Sequence, residues 1–216
     1  MSNNDIMIMI FGFALAISIH ESAHAWMAKK CGDPTSANEG RISLNPIDHV
    51  DPIGTILLPF ILIMSHAPFL FGWAKPVMIN PRNLKNPIED ERWIAAAGPI
   101  SNLITAVIFA IFFRILILSS TSLNGLISLE TFKIMAKLFQ YTVMINLVLA
   151  IFNMIPINPL DGSKVLRSFL DYKKAIKFDR FNDSYGIMIF IIIMVTNMID
   201  KLFLFTVYPL MKILLF

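Results

Sequence analysis

Residues 6–27 form an apolar run long enough to cross a bilayer, and runs of similar length recur at 93–119, 134–157 and 185–216. A helix rises about 1.5 Å per residue, so about 20 such residues span the roughly 30 Å hydrocarbon core. In lipid a single segment satisfies its backbone only as a helix, which predicts an all-α polytopic membrane protein. Composition agrees. Of 216 residues, 56% are hydrophobic and 15% charged, more apolar surface than one soluble core could hide. The expected architecture is a bundle of about 4–6 transmembrane segments, forming a single membrane-embedded domain over residues 1–216. Only Asp5 precedes the first run with a charge, and the basic start of a signal peptide is missing, so this helix is expected to be retained. The net charge of +3 does not point to nucleic acid, because the basic residues lie between the apolar runs. One cysteine, Cys31, excludes an internal disulfide and a cysteine-rich metal cluster.

Prolines punctuate the pattern. Pro156 and Pro159 stop the third run, and Asp200-Lys201 breaks the last one, leaving either one helix plus an interfacial helix or two crossings. Residues 53–74 are apolar but interrupted by Pro59 and by Ser65-His66-Ala67-Pro68. Each arm is too short to span alone, so a re-entrant hairpin with His66 at its tip competes with one kinked crossing. Pro34, Pro46, Pro52, Pro81, Pro87 and Pro159 each follow Asn or Asp. Such pairs initiate turns, so the polar segments are structured loops rather than linkers.

Inside the first run stands His20-Glu21-Ser22-Ala23-His24. Residues four apart share a helix face, so both imidazoles can point at one metal, while Glu21 can take a proton from water. Two imidazoles, a third protein ligand and an open position suit zinc. Polar residues that merely satisfy one another inside a bundle are the alternative, but three ionisable groups in five residues of a membrane segment demand a function. Asp161 is the candidate third ligand, in non-helical backbone after Pro156 and Pro159, with Gly162 letting the chain turn tightly behind it. A turn aspartate at the interface is the competing reading of Asp161.

Taken together, His20 to His24, Ala97-Gly98-Pro99-Ile100-Ser101-Asn102 and the stretch from Asn153 through Gly162 carry a resemblance. The chain resembles the site-two proteases, intramembrane zinc metalloproteases, in their compact prokaryotic branch. Gly40-Arg41-Ile42-Ser43-Leu44-Asn45-Pro46 and Gly72-Trp73-Ala74-Lys75-Pro76 extend the likeness. By this resemblance His20, His24 and Asp161 are ligands of one zinc ion per chain, Glu21 is the general base, and Asn153 holds the substrate or its oxyanion. Gly98, Pro99 and Asn102 form the family's Gly-Pro-x-x-Asn position, where Asn102 is expected to bond backbone between close helices. The PDZ and CBS domains of longer members are not expected. The implied activity is cleavage of peptide bonds within or next to transmembrane segments of membrane-protein substrates. The implied partners are such substrates and the bilayer, with no nucleic acid.

Ligands of one metal must share a depth. His20 lies about 22 Å along its helix from Asp5, near the exit end, and Asp161 follows the exit of its own run. These two helices should therefore be parallel, with 93–119 returning antiparallel between them. The chain must then leave and re-enter on one side between Lys29 and Arg92, which favours the hairpin. Lys29, Lys30, Arg82, Lys85 and most other loop Lys and Arg fall on the ligand side, against Lys133 on the other. The positive-inside rule makes the active site cytoplasmic in a prokaryotic inner membrane. Around Gly40 to Asn45 a β-like edge or loop could pair with an unwound substrate as an added strand. His49, between Asp48 and Asp51, reads as a solvated turn rather than a second metal site. The basic stretch from Lys164 to Arg180 is either a lipid-headgroup contact or a solvated loop. A metal transporter and a non-catalytic zinc scaffold are the rival functions. The first lacks a path of ionisable residues along several helices, and the second leaves Glu21 without a role.

Overall fold

The computed structural model describes residues 3–65, 72–123, 126–196 and 198–216. Its frame is three long helices: α1 (Asn3–Cys31), α4 (Pro87–Leu118) and α6 (Leu129–Asn153). Between the first two lie α2 (Thr35–Asn38) and α3 (Leu58–Met64), and α5 (Ser120–Leu123) sits after α4. Beyond α6 come α7 (Asp161–Ser168), α8 (Tyr172–Val195), α9 (Met198–Leu202) and α10 (Tyr208–Leu215). No β-strand occurs among the described residues. Among the described residues three helices are long and apolar enough to cross a membrane, one short of the expected minimum, or four with the α8–α10 pair counted as one bent span.

Local chemistry sets the helix ends. α1 closes with Lys29 and Lys30 in its last turn and a Schellman turn in which Gly32 takes φ +109°. There the Gly32 N–H donates to the Lys29 carbonyl and the Asp33 N–H to the Ala28 carbonyl. The buried Asp33 carboxylate then accepts from Thr35, from the Asn80 N–H and from Asn83, tying the chain after α1 to the entry of α4. Pro87 occupies the first turn of α4 with Glu89 and Asp90. Ser128 caps α6 by accepting from the Thr131 N–H, and Asp171 caps α8 through the Lys174 N–H.

Side-chain pairs fix the helix directions. Asp5 of α1 meets Lys137 of α6, and Gly12 lies against Thr142 and Ile145, so α1 and α6 run parallel. Asn102 of α4 bonds the Ala16 carbonyl while Ile94 bonds His24, so α4 runs antiparallel between them, as the ligand depths require. Ala106, Ala110, Phe113, Val143 and Leu147 build the apolar core, joined by Val207 and Leu215 from the C-terminal segment. That segment bends by 78° relative to α8 and lies against α4 and α6, where Arg114 donates to the Ile213 carbonyl. The expected break at Asp200-Lys201 is not where the chain turns: both residues lie inside α9, and the bend falls ahead of them, between Val195 and Met198.

The segment 53–74 begins as a wide π-helical turn, Pro52–Leu57, before α3. Its two ends meet: the Trp73 N–H donates to the Gly54 carbonyl at 3.1 Å, Thr55 Oγ1 to the Trp73 carbonyl at 2.8 Å, and the Lys75 N–H to the His49 carbonyl at 2.9 Å. A chain that returns to its starting point is a hairpin, not a crossing. The expected tip, His66, lies outside the described residues. Gly54 is required here, because a Cβ would stand 2.3 Å from the Trp73 indole.

Candidate metal centre

α1 offers His20 and His24 on one face, both buried. His20 Nδ1 lies 2.6 Å from Asn102 Oδ1, and His24 Nδ1 lies 2.6 Å from the Ile94 carbonyl. A carbonyl only accepts, so His24 carries its proton on Nδ1 and leaves Nε2 with a lone pair. For His20 the amide decides. Asn102 Nδ2 donates to the Ala16 carbonyl at 3.1 Å, so the atom facing His20 is the acceptor Oδ1. Both histidines therefore present Nε2 as a donor to a metal, with the second ring nitrogen tied down.

The loop after α6 delivers the third group. Tight backbone bonds, Ile157 N–H to Ile155 carbonyl and Leu160 N–H to Ile157 carbonyl, fold residues 154–160 into a compact link. Asp161 then stands 3.2 Å from His20 Nε2 and 3.3 Å from His24 Nε2 through Oδ2, and the two Nε2 atoms are 3.1 Å apart. Two nitrogens and an oxygen at about 2.0–2.1 Å from a tetrahedral zinc would sit about 3.3 Å from one another. The triangle has that size, so the donor set fits zinc. Gly98 supports the fit from α4: a Cβ there would lie 2.4 Å from His24 Nε2 and 2.7 Å from His20 Nε2. Pro99 removes one intrahelical hydrogen bond in the same turn.

Two expectations change. Asp161 is not in irregular backbone; it opens α7, with Leu160 as N-cap, and sits half-buried at a helix start. The sequence around it reads as irregular because α7 is only eight residues long and follows two prolines. Gly162 does not serve a left-handed turn, since the positive-φ glycines among the described residues are Gly32 and Gly40. It is needed for close approach, as a Cβ would stand 2.3 Å from the Met154 carbonyl oxygen.

The remaining predicted residues are not all engaged. Glu21 follows His20 on α1 and is half-buried, and its carboxylate makes no hydrogen bond among the described residues. Asn153 ends α6 with Nδ2 donating to the Leu149 carbonyl at 3.0 Å, so one of its two amide hydrogens is spent on its own helix. Asn102 does bond backbone across helices, as expected, and also orients a histidine. Asn146, fully buried in α6, was missed by sequence reasoning; it accepts from Asn102 Nδ2 at 2.8 Å. Its signal was an uncompensated amide inside an apolar run, which must find a partner.

His49 is not in a solvated turn. It is 2% exposed, and its Nε2 donates to the Ser43 carbonyl at 2.8 Å. Ser22, inside the His20–His24 motif, bonds the same residue through both the Ser43 N–H and carbonyl. Arg41 is also buried and donates to the Asp48 and Lys75 carbonyls. The flanking aspartates suggested water, but the 41–51 loop folds over its own histidine.

The profile of Peptidase family M50 matches residues 8–196. The chain belongs to peptidase family M50. This M50 member is 35% identical over 188 residues to the "Putative zinc metalloprotease YwhC" of Bacillus subtilis (strain 168), covering 87% of this chain and 80% of that protein. It is 26% identical over 101 residues to the "Putative zinc metalloprotease Rip2" of Mycolicibacterium smegmatis, covering 47% of this chain and 38% of that one. No solved structure gives a significant match. An M50 chain with apolar helices of these lengths is a zinc metalloprotease and a multi-pass membrane protein.

Proposed function

We propose that this chain hydrolyses peptide bonds within or next to transmembrane segments, at one zinc ion held by His20, His24 and Asp161. The observation that carries the reading is the triangle of their three donor atoms, 3.1–3.3 Å on a side, formed between helices apolar enough to span a bilayer. Zinc, when bound, supplies Lewis acidity that brings the pKa of a coordinated water to about 7 and polarises a carbonyl. Glu21 accepts the proton of the attacking water and delivers it to the nitrogen of the leaving amine. Asn153 turns its second amide N–H toward the carbonyl oxygen that gains charge.

The substrate must enter unwound, because a helical amide is shielded and already hydrogen-bonded. Ser22 and His49 occupy the backbone of Ser43, while Ile42 and Leu44 on either side are exposed at 41% and 64%. That edge is where an extended substrate pairs with the chain. The reading is tested with purified protein and a single-span substrate. Cleavage that stops with a chelator and returns with zinc supports it; zinc uptake into liposomes without cleavage supports a transporter instead.

In this proposal the active site faces the cytoplasm of a prokaryotic inner membrane, because Lys29, Lys30, Arg82, Lys85 and Lys164 belong to its end of the bundle. Cysteines placed at residues 82–86 of a Cys31→Ser background should be labelled only after permeabilisation. Labelling from outside would reverse the orientation.

A further inference from the structure

The fully buried amides of α4 and α6 form a directed chain. Asn146 Nδ2 donates to the Thr142 carbonyl at 2.8 Å, Asn102 Nδ2 donates to Asn146 Oδ1 at 2.8 Å and to the Ala16 carbonyl at 3.1 Å, and Asn102 Oδ1 faces His20 Nδ1 at 2.6 Å. The two backbone carbonyls can only accept, so they fix which way round both amides stand. Asn102, Asn146 and Thr142 are all at 0% exposure, so no water can replace a missing partner. The chain touches all three long helices: Ala16 and His20 on α1, Asn102 on α4, Asn146 two turns before the end of α6.

We infer that Asn146 is a positioning residue of the metal centre, holding the Asn102 amide in the place from which its Oδ1 accepts from His20 Nδ1 and aims the ring. The inference rests on the zinc reading above. Without Asn146, one N–H of Asn102 is buried with no acceptor, and since the Ala16 carbonyl still fixes which way round the amide stands, the side chain relieves that cost by shifting rather than by rotating. A displaced Asn102 loosens the bond between its Oδ1 and His20 Nδ1, and the imidazole is no longer held so that Nε2 points into the ligand triangle. Asn146 also lies on the helix that leads to Asp161, so one side chain registers the histidine helix against the carboxylate ligand.

The test measures zinc affinity by chelator competition, and the His20 Nδ1–H hydrogen bond by the ¹H shift of that proton in zinc-loaded protein. Asn146→Ala should weaken zinc binding by about 10- to 100-fold and move the Nδ1–H resonance upfield as its bond to Asn102 loosens. Asn146→Asp, whose protonated carboxyl keeps one acceptor and one donor, should restore both readouts. Thr105→Ala, which removes another buried α4 side chain bonded only to the Ser101 carbonyl, should change neither. Where Asn146→Ala does not hold its fold, Asn146→Leu, which fills the volume, is read instead. An unchanged Nδ1–H resonance and affinity in the folded variant overturns the inference, as does an Asn146→Asp variant as impaired as Asn146→Ala. Wild-type protein that binds no zinc overturns the zinc reading itself.

Discussion

At one end of the α1–α4–α6 bundle Gly98, Asn102, His20 and His24 meet at hydrogen-bonding or closer approach; at the other, Ala110 and Phe113 of α4 belong to an apolar cluster with Val207 and Leu215, against which Ala136 and Phe139 of α6 pack. α4 runs through both ends. At the ligand end the helices touch through a missing side chain and a chain of amides, so atoms are fixed to tenths of an ångström. At the far end they touch through methyl and phenyl groups, whose packing is non-directional and tolerant of small shifts. The bundle divides its work: one end holds the helices together, and the other uses that rigidity to aim donors. Function should be brittle at the first site and stability at the second.

The largest effect should separate the two ends. Gly98→Ala puts a methyl 2.4 Å from His24 Nε2 and should cut cleavage by at least about 100-fold, with loss of zinc and retention of helix content. At the far end Phe113→Ala, 4% exposed, should cost about 3 kcal/mol of stability in denaturant titration while zinc affinity holds. Zinc affinity lowered by Phe113→Ala, or retained by Gly98→Ala, would break the contrast.

A smaller effect concerns the ligand end's outer link. Burial pushes the Asp33 carboxyl up, but hydrogen bonds from Thr35, Asn83 and Asn80 outweigh it and hold the group below the ordinary carboxylate range. A lowered folded pKa stabilises above the unfolded value, about 4, and the contribution is lost as pH falls through the folded value. Thermal unfolding at descending pH should therefore show a loss below about pH 4 that is blunted in Asp33→Asn. Equal acid sensitivity in both proteins would remove Asp33 from the account.

Much of the site was legible because its residues violate their surroundings. His20 and His24 at helical spacing in an apolar run, and a carboxylate between prolines and a glycine, point to a metal with no fold in hand. Helix directions followed from ligand depth alone, and the pairs Asp5–Lys137 and Asn102–Ala16 agree with them. What was not legible depends on who sits opposite. Gly98 reads as a motif letter until a Cβ is placed against both imidazoles. Asn146 is a single amide among apolar residues, and its partner lies on another helix. His49 looked wet because sequence shows neighbours along the chain, not the loop that closes over it. α8 begins at Tyr172 rather than at the apolar onset near 185, since its charged first half hides a helix from a hydropathy reading.

The central claim is that Glu21 moves the proton at a zinc held by His20, His24 and Asp161. It is tested most directly by comparing wild type with Glu21→Gln in cleavage of a single-span substrate, with zinc content measured on the same samples. The account predicts cleavage reduced by about 10²- to 10⁴-fold with one zinc per chain retained. Cleavage by Glu21→Gln at the wild-type rate would contradict it.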